Sequence, residues 1–148
     1  MIFTSAKQAY EYAKYKIKGR YENVENIIST DALYSFMYAR DVLQGPFNLG
    51  EKAIAANAEY SYYYARDVLH ARFKLGENVI ATDVEHSYYY AKSVLNDRFE
   101  LGEKTIASDA YYSYYYALDV VKGRFELSEP IILSSNFKQE YESVFIDK

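Results

Sequence analysis

The sequence predicts an all-α solenoid of five 26-residue helix-turn-helix repeats with a C-terminal capping helix. Three observations carry that prediction. Written in registers of 26 from Ser5, Asp31, Asn57, Asp83 and Asp109, the chain aligns as far as Ser134 without an insertion or deletion. The best-matched copies read DALYSFMYARDVLQGPFNLGEKAIAA, NAEYSYYYARDVLHARFKLGENVIAT and DVEHSYYYAKSVLNDRFELGEKTIAS, and self-similarity at a fixed period of about 20 to 50 residues marks stacked repeats. Finally, a unit this short cannot bury its own apolar face and is stable only against its neighbours. The expected organisation is one domain, 1–148, with repeats 5–30, 31–56, 57–82, 83–108 and 109–134 and a cap at 135–148.

Taken in order, each copy opens with a long helix. Positions 2 to 14 hold helix formers and no proline, preceded by Thr, Ser or Asp residues suited to N-capping. Thr82 with Glu85 spells a capping box. At about 100° per residue, positions 2, 5, 6, 9, 12 and 13 share one face, a core stripe holding Ala58, Ser61, Tyr62, Ala65, Val68 and Leu69 in the third copy. Small residues at position 9, Ala13, Ala39, Ala65, Ala91 and Ala117, let neighbouring helices approach closely. Position 15 is Gly19, Gly45, Ala71, Asp97 and Gly123, where glycine would end the helix in a left-handed cap.

An aromatic follows at position 17 as Tyr21, Phe47, Phe73, Phe99 and Phe125, then Leu-Gly-Glu-x-x-Ile-Ala, which reads as a second helix of about two turns. Its anchors are Ile28, Ile54, Ile80, Ile106 and Ile132. The ends depart from the pattern as capping repeats do. Copy one carries Lys7, Gln8, Glu11, Lys14, Lys16 and Lys18, and the last segment shifts its apolar set to Phe137, Tyr141, Val144 and Phe145, the spacing of a closing amphipathic helix.

Composition narrows the function. Half of the 148 residues are hydrophobic, enough for a core without a metal or disulfide. The chain has no cysteine, hence no thiolate metal site or cysteine nucleophile, which fits a reducing cytosol. The segment Met1 to Ser5 lacks the basic and apolar runs of a signal peptide, so a cytoplasmic location is expected. A net charge of −4 and a pI near 5.2 argue against a strong phosphate-binding surface.

His70 and His86 fall at different repeat positions with no metal-ligand spacing around them, and no phosphate loop or nucleophile elbow is present. Ser35, Ser61, Ser87 and Ser113 share one core-facing position, where small size explains them. The expectation is therefore no enzyme, no metal and no cofactor.

What remains is tyrosine, with 19 against 8 phenylalanines and no tryptophan. Position 7, outside the core stripe, reads Glu11, Met37, Tyr63, Tyr89 and Tyr115, an exposed ladder. Position 4 adds Tyr34, Tyr60 and Tyr112, and position 10 supplies Arg40, Arg66 and Lys92. The position-8 rings, Tyr12, Tyr38, Tyr64, Tyr90 and Tyr116, flank the core and pack between copies. A glutamate at position 21 of every copy beside an arginine at position 16 in most reads as an inter-repeat ion pair or cap. Tyr and Arg dominate binding hot spots, so these residues predict a non-enzymatic interaction protein that docks a protein partner. The alternatives are single-stranded nucleic acid stacked on the tyrosines, which the acidic balance disfavours, and sequestration of a small molecule or nucleotide in an aromatic groove. No membrane partner is expected.

The blocks SYYYARDVL, GRFEL and LGEKTIAS resemble the short tandem repeats of the form YAYxYAxxVLKGRFPEGExxIAT found in largely uncharacterised proteins of tailed phages, giant viruses and some bacteria. The resemblance spans residues 5–134. It implies an α-helical solenoid of unassigned role and a viral or phage origin; by analogy, the expectation is a phage protein that engages or inhibits a host factor in the host cytoplasm. One departure is the absence of proline after the position-17 aromatic, where Glu22, Asn48, Lys74, Glu100 and Glu126 stand instead.

Overall fold

A computed structural model describes residues 2–147; Met1 and Lys148, which the expected domain includes, lie outside them. Among the described residues every regular element is helical and there is no strand, so the chain is an all-α repeat protein of the solenoid class. It forms two compact units, one ending at Val79 and one beginning at Ile80. Among the described residues no helix is long and apolar enough to cross a membrane.

The long helices begin where a carboxylate or amide side chain can satisfy an orphan amide. Asp31, Asn57, Asp83 and Asp109 are extended and accept from the backbone N–H of Tyr34, Tyr60, His86 and Tyr112 at 2.8 to 3.0 Å. Ser5 does the same for Gln8. The Thr82–Glu85 capping box is therefore not used: the cap falls one residue later, on Asp83, whose carboxylate also takes His86 Nδ1 at 2.8 Å.

Each long helix widens in its second half. The α segments Ala32–Tyr38, Ala58–Tyr64, Val84–Tyr90 and Ala110–Tyr116 run into π-helical turns Ala39–Leu43, Ala65–Leu69, Ala91–Leu95 and Ala117–Val121, as Ala6–Glu11 runs into Tyr12–Ile17. The wide turn closes early. Lys18, Gln44, His70, Asn96 and Lys122, at position 14, take the left-handed conformation with φ between 50 and 58°, and no glycine does. The expected glycine cap at position 15 is thus displaced by one residue. In repeat 2 the amides of Gln44 and Gly45 both donate to the Ala39 carbonyl, and this shared acceptor offsets the cost of about 1 to 2 kcal/mol for a left-handed side-chain-bearing residue. Position 15 has open space around it, which is why Ala71 and Asp97 fit there.

The short helix follows as expected, as one 3-10 turn and one α turn: Asn48–Gly50 with Glu51–Ile54, Lys74–Gly76 with Glu77–Ile80, Glu100–Gly102 with Glu103–Ile106. A proline is not needed to start it. Ile28, Ile54, Ile80, Ile106 and Ile132 are fully buried. Ser35, Ser61, Ser87 and Ser113 donate across to the carbonyls of Ile28, Ile54, Ile80 and Ile106 at 2.9 to 3.0 Å, tying the next long helix to the short one. Gly50, Gly76 and Gly102 sit against these serines. A Cβ on Gly76 would lie 2.6 Å from Ser61 Oγ and 2.7 Å from Phe73 Cδ1, so only glycine allows the contact.

The core stripe differs from the one drawn by helical phase. Ser61, Tyr62 and Ala65 are buried, but Ala58, Val68 and Leu69 are only half-buried, and position 8 goes deepest: Tyr38, Tyr64, Tyr90 and Tyr116 are inaccessible. Their rings pack on the position-17 phenylalanine of the same repeat, Phe47, Phe73, Phe99 and Phe125, with centroids 5.0 to 5.1 Å apart. An aromatic delivered by the turn covers a ring that phase alone leaves at the margin. The cap is the helix Lys138–Phe145, anchored by fully buried Tyr141.

Candidate functional site: two polar ladders and an aromatic groove

Two sets of side chains link successive repeats. The first keeps its phenol, carboxylate and amide at each linkage found within the two units, and adds an arginine fork in all of them but that between repeats 2 and 3. In repeat 1 the Arg20 fork donates to both oxygens of Glu25 at 2.9 and 3.2 Å, Tyr38 Oη of the next repeat donates to Glu25 Oε1 at 3.1 Å, and the Tyr21 N–H donates to that phenol at 3.0 Å. The pattern returns as Arg98, Glu103, Tyr116 and the Phe99 amide. It returns again as Arg124, Glu129, Tyr141 and the Phe125 amide. The Arg–Glu pair is therefore made inside one repeat, not between repeats as expected, and the neighbour contributes a phenol. Burial pushes the Tyr38 phenol up to about 12, and the Arg124 guanidinium holds Glu129 below the ordinary carboxylate range.

The second set lies on the outer part of the long helices and changes from repeat to repeat. A ring at position 6 carries a cation four residues on, one helical turn away. Lys14 lies over Tyr10 at 5.3 Å, Arg40 over Phe36 at 4.9 Å, Arg66 over Tyr62 at 5.1 Å and Lys92 over Tyr88 at 5.4 Å, distances at which cation–π attraction operates.

Where the cation is lysine it reaches the next repeat. Lys14 Nζ and Tyr10 Oη both donate to Asp41 Oδ2, at 2.8 and 2.7 Å, and Lys92 and Tyr88 both donate to Asp119. Where it is arginine it turns to the adjacent aspartate of its own helix, Arg40 to Asp41 and Arg66 to Asp67. Arg40 first, then Lys14 and Tyr10, hold Asp41 well below the ordinary carboxylate range against its burial. Burial and Asp119 push Tyr88 up to about 12.

Five of the ten expected binding residues meet in one place. Met37, Arg40, Tyr60, Tyr63 and Arg66 line a surface groove of about 440 Å³ between the long helices of repeats 2 and 3. Its floor is Phe36, stacked on Tyr60 with centroids 6.2 Å apart and 6.0 Å from Tyr63, while Arg66 lies 5.0 Å from the Tyr63 ring. Leu33, Glu59 and Asp67 complete the wall.

Tyr34 stays outside this groove, packed on Tyr10 at 5.8 Å. In the second unit Tyr89 lies 5.0 Å from Tyr88, Tyr112 lies 5.7 Å from Tyr88, Lys92 is held by Tyr88 and Asp119, and Tyr115 clusters with Tyr111, Tyr114 and Phe137. The position-7 side chains Met37, Tyr63, Tyr89 and Tyr115 are half-buried, a correction to the expected exposed ladder. The neighbouring position-6 ring shields one face of each tyrosine.

Position 6 is buried in repeats 1 to 4 as expected, but sequence reasoning did not foresee that Phe36 at this position also lines the groove. The signal was present in the spacing of four between the position-6 ring and the position-10 cation of the first four repeats. It also missed an exposed leucine at position 19 in Leu49, Leu75, Leu101 and Leu127, each more than half exposed. No family model, curated protein or solved structure matches the chain.

Proposed function

We propose that this chain is a non-enzymatic interaction protein whose aromatic and guanidinium groove in repeats 2 and 3 binds a protein partner. The observation that carries this reading is the convergence of Met37, Tyr60 and Tyr63 with Arg40 and Arg66 around the Phe36 ring in one open groove. Rigid rings give large contact area at low entropic cost, and arginines already stacked on aromatics are pre-ordered for hydrogen bonding to a partner. Asp41 and Asp67 balance both guanidinium groups, which favours a peptide surface of mixed charge over a polyphosphate backbone. The phage setting, the host cytoplasm and a host factor as partner rest on the repeat resemblance alone.

The test is affinity capture from cell lysate on immobilised wild type and on a Tyr60→Ala/Tyr63→Ala variant, with circular dichroism confirming that both are folded. A protein held only by the wild type and insensitive to nuclease supports the groove. Loss on nuclease treatment moves the reading to single-stranded nucleic acid, and equal capture by both baits rejects the groove.

A further inference from the structure

Position 21 is glutamate in all five repeats, and in one of them its arginine is missing. Arg20, Arg72, Arg98 and Arg124 each set Nε on Oε1 and Nη2 on Oε2 of the glutamate five residues on, at 2.7 to 2.9 Å and 2.7 to 3.2 Å. Repeat 2 has Pro46 at that position. Its glutamate, Glu51, keeps the rest of the arrangement: Tyr64 Oη donates to Oε1 at 2.9 Å, and the Phe47 N–H donates to Tyr64 Oη at 2.9 Å. Among the described residues no lysine, arginine or histidine pairs with Glu51, and no donor of the chain reaches its Oε2.

We propose that Glu51 is the receptor for an arginine side chain of a protein partner, which docks where the sister repeats hold their own arginine. The four sister sites supply the geometry of the bound state. Their arginine side chains are 49 to 60% exposed while the glutamate side chains beneath are only 9 to 14% exposed, so this place is reached from solvent. A planar fork matches two carboxylate oxygens as a lysine ammonium does not.

A protein segment is the source rather than a free guanidinium compound because of what lies alongside. Leu49 is 51% exposed, and Pro46 and Phe47 border a cleft of about 510 Å³ whose apolar side is completed by Leu43 and Leu49 and whose polar side is Asn48 with the Arg20–Glu25 pair of repeat 1. The flanking residues of a peptide would cover that apolar surface. This inference shares with the groove reading only the premise that the partner is a protein.

The experiment follows the Glu51 and Phe47 amide resonances of the full chain by NMR while adding acetyl-Leu-Arg-Leu-amide, its citrulline counterpart or free L-arginine. The arginine peptide should shift both resonances saturably. The citrulline peptide should bind about tenfold weaker, because it keeps the shape and loses the charge, and free L-arginine should also bind more weakly. Pro46→Arg restores the internal fork and should abolish binding while leaving the protein folded; Glu51→Gln should abolish it as well.

Equal binding of the citrulline peptide, undiminished binding to the Pro46→Arg protein, or no shift with the arginine peptide overturns the site. Free L-arginine binding as tightly as the peptide overturns the protein source. The Tyr60→Ala/Tyr63→Ala protein should bind the arginine peptide as the wild type does, so the two readings fail separately.

Discussion

The inner and outer ladders run along the same repeats by different rules. The inner one, built from positions 8, 16, 17 and 21, puts a phenol from one repeat between a carboxylate and an amide of the repeat before, and its distances barely change from Tyr38 to Tyr116 to Tyr141. The outer one changes its members each time: tyrosine with lysine, phenylalanine with arginine, tyrosine with arginine, tyrosine with lysine again, and finally Tyr114 with Leu118. A contact that every stacked unit needs has one best solution. A surface relieved of that duty is free to vary, and the groove lies on it. Internal repetition thus lets one set of contacts stay fixed while another varies within a single chain.

The sharpest way to break this comparison is to cut beneath both ladders. Ile80→Ala removes a fully buried anchor and should cost about 2 to 5 kcal/mol in chemical denaturation, whereas Tyr89→Ala on the outer face should cost about 1 kcal/mol. Equal losses would mean that the outer face is core. Next in size is Tyr116→Phe, which leaves the Phe99 amide and Glu103 without their phenol and should cost about 1 to 3 kcal/mol with little change in shape. Full stability in that variant would reduce the inner ladder to coincidence.

Alkaline pH probes both ladders at once. Tyr38 in the inner set and Tyr88 in the outer are each raised from 10.0 to about 12, mainly by burial. The folded state therefore holds their protons more tightly than the unfolded chain. The stabilisation is complete below pH 10 and is lost as pH rises through 12, so the melting temperature should fall across that window while tyrosinate absorbance appears late. The smallest effect is expected at Gly45→Ala. Open space and the absence of a left-handed φ there predict a gain of about 0.4 to 1 kcal/mol, read as a higher melting temperature.

The period, the caps at position 1, the isoleucine anchors and the closing helix were all legible in the sequence, because each depends on residue type at a fixed spacing. The missing pieces depend on the path of the backbone. A uniform 100° rotation puts position 8 at the edge of the core and the turn at position 15; π-helical widening ends the helix one residue sooner, and the returning Phe47 or Phe99 seals the position-8 ring. The groove was half legible for the same reason. Met37, Tyr60, Tyr63, Arg40 and Arg66 stood out by type, while Phe36, which is buried as its place in the core stripe predicts, shows its part in the groove only through the guanidinium and rings packed on it.

The final helix obeys a looser grammar than the repeats it follows. Phe137 stacks on Tyr114 and Tyr141 takes the phenol's place on Glu129, yet Tyr141 lies 16 residues beyond Phe125 where Tyr116 lies 17 beyond Phe99. The junction therefore recognises a motif, an aromatic and a tyrosine one helical turn apart, and tolerates a dropped residue before it. The array is in this sense modular: the joint that ties repeat 5 to repeat 4 also ties the closing helix to repeat 5.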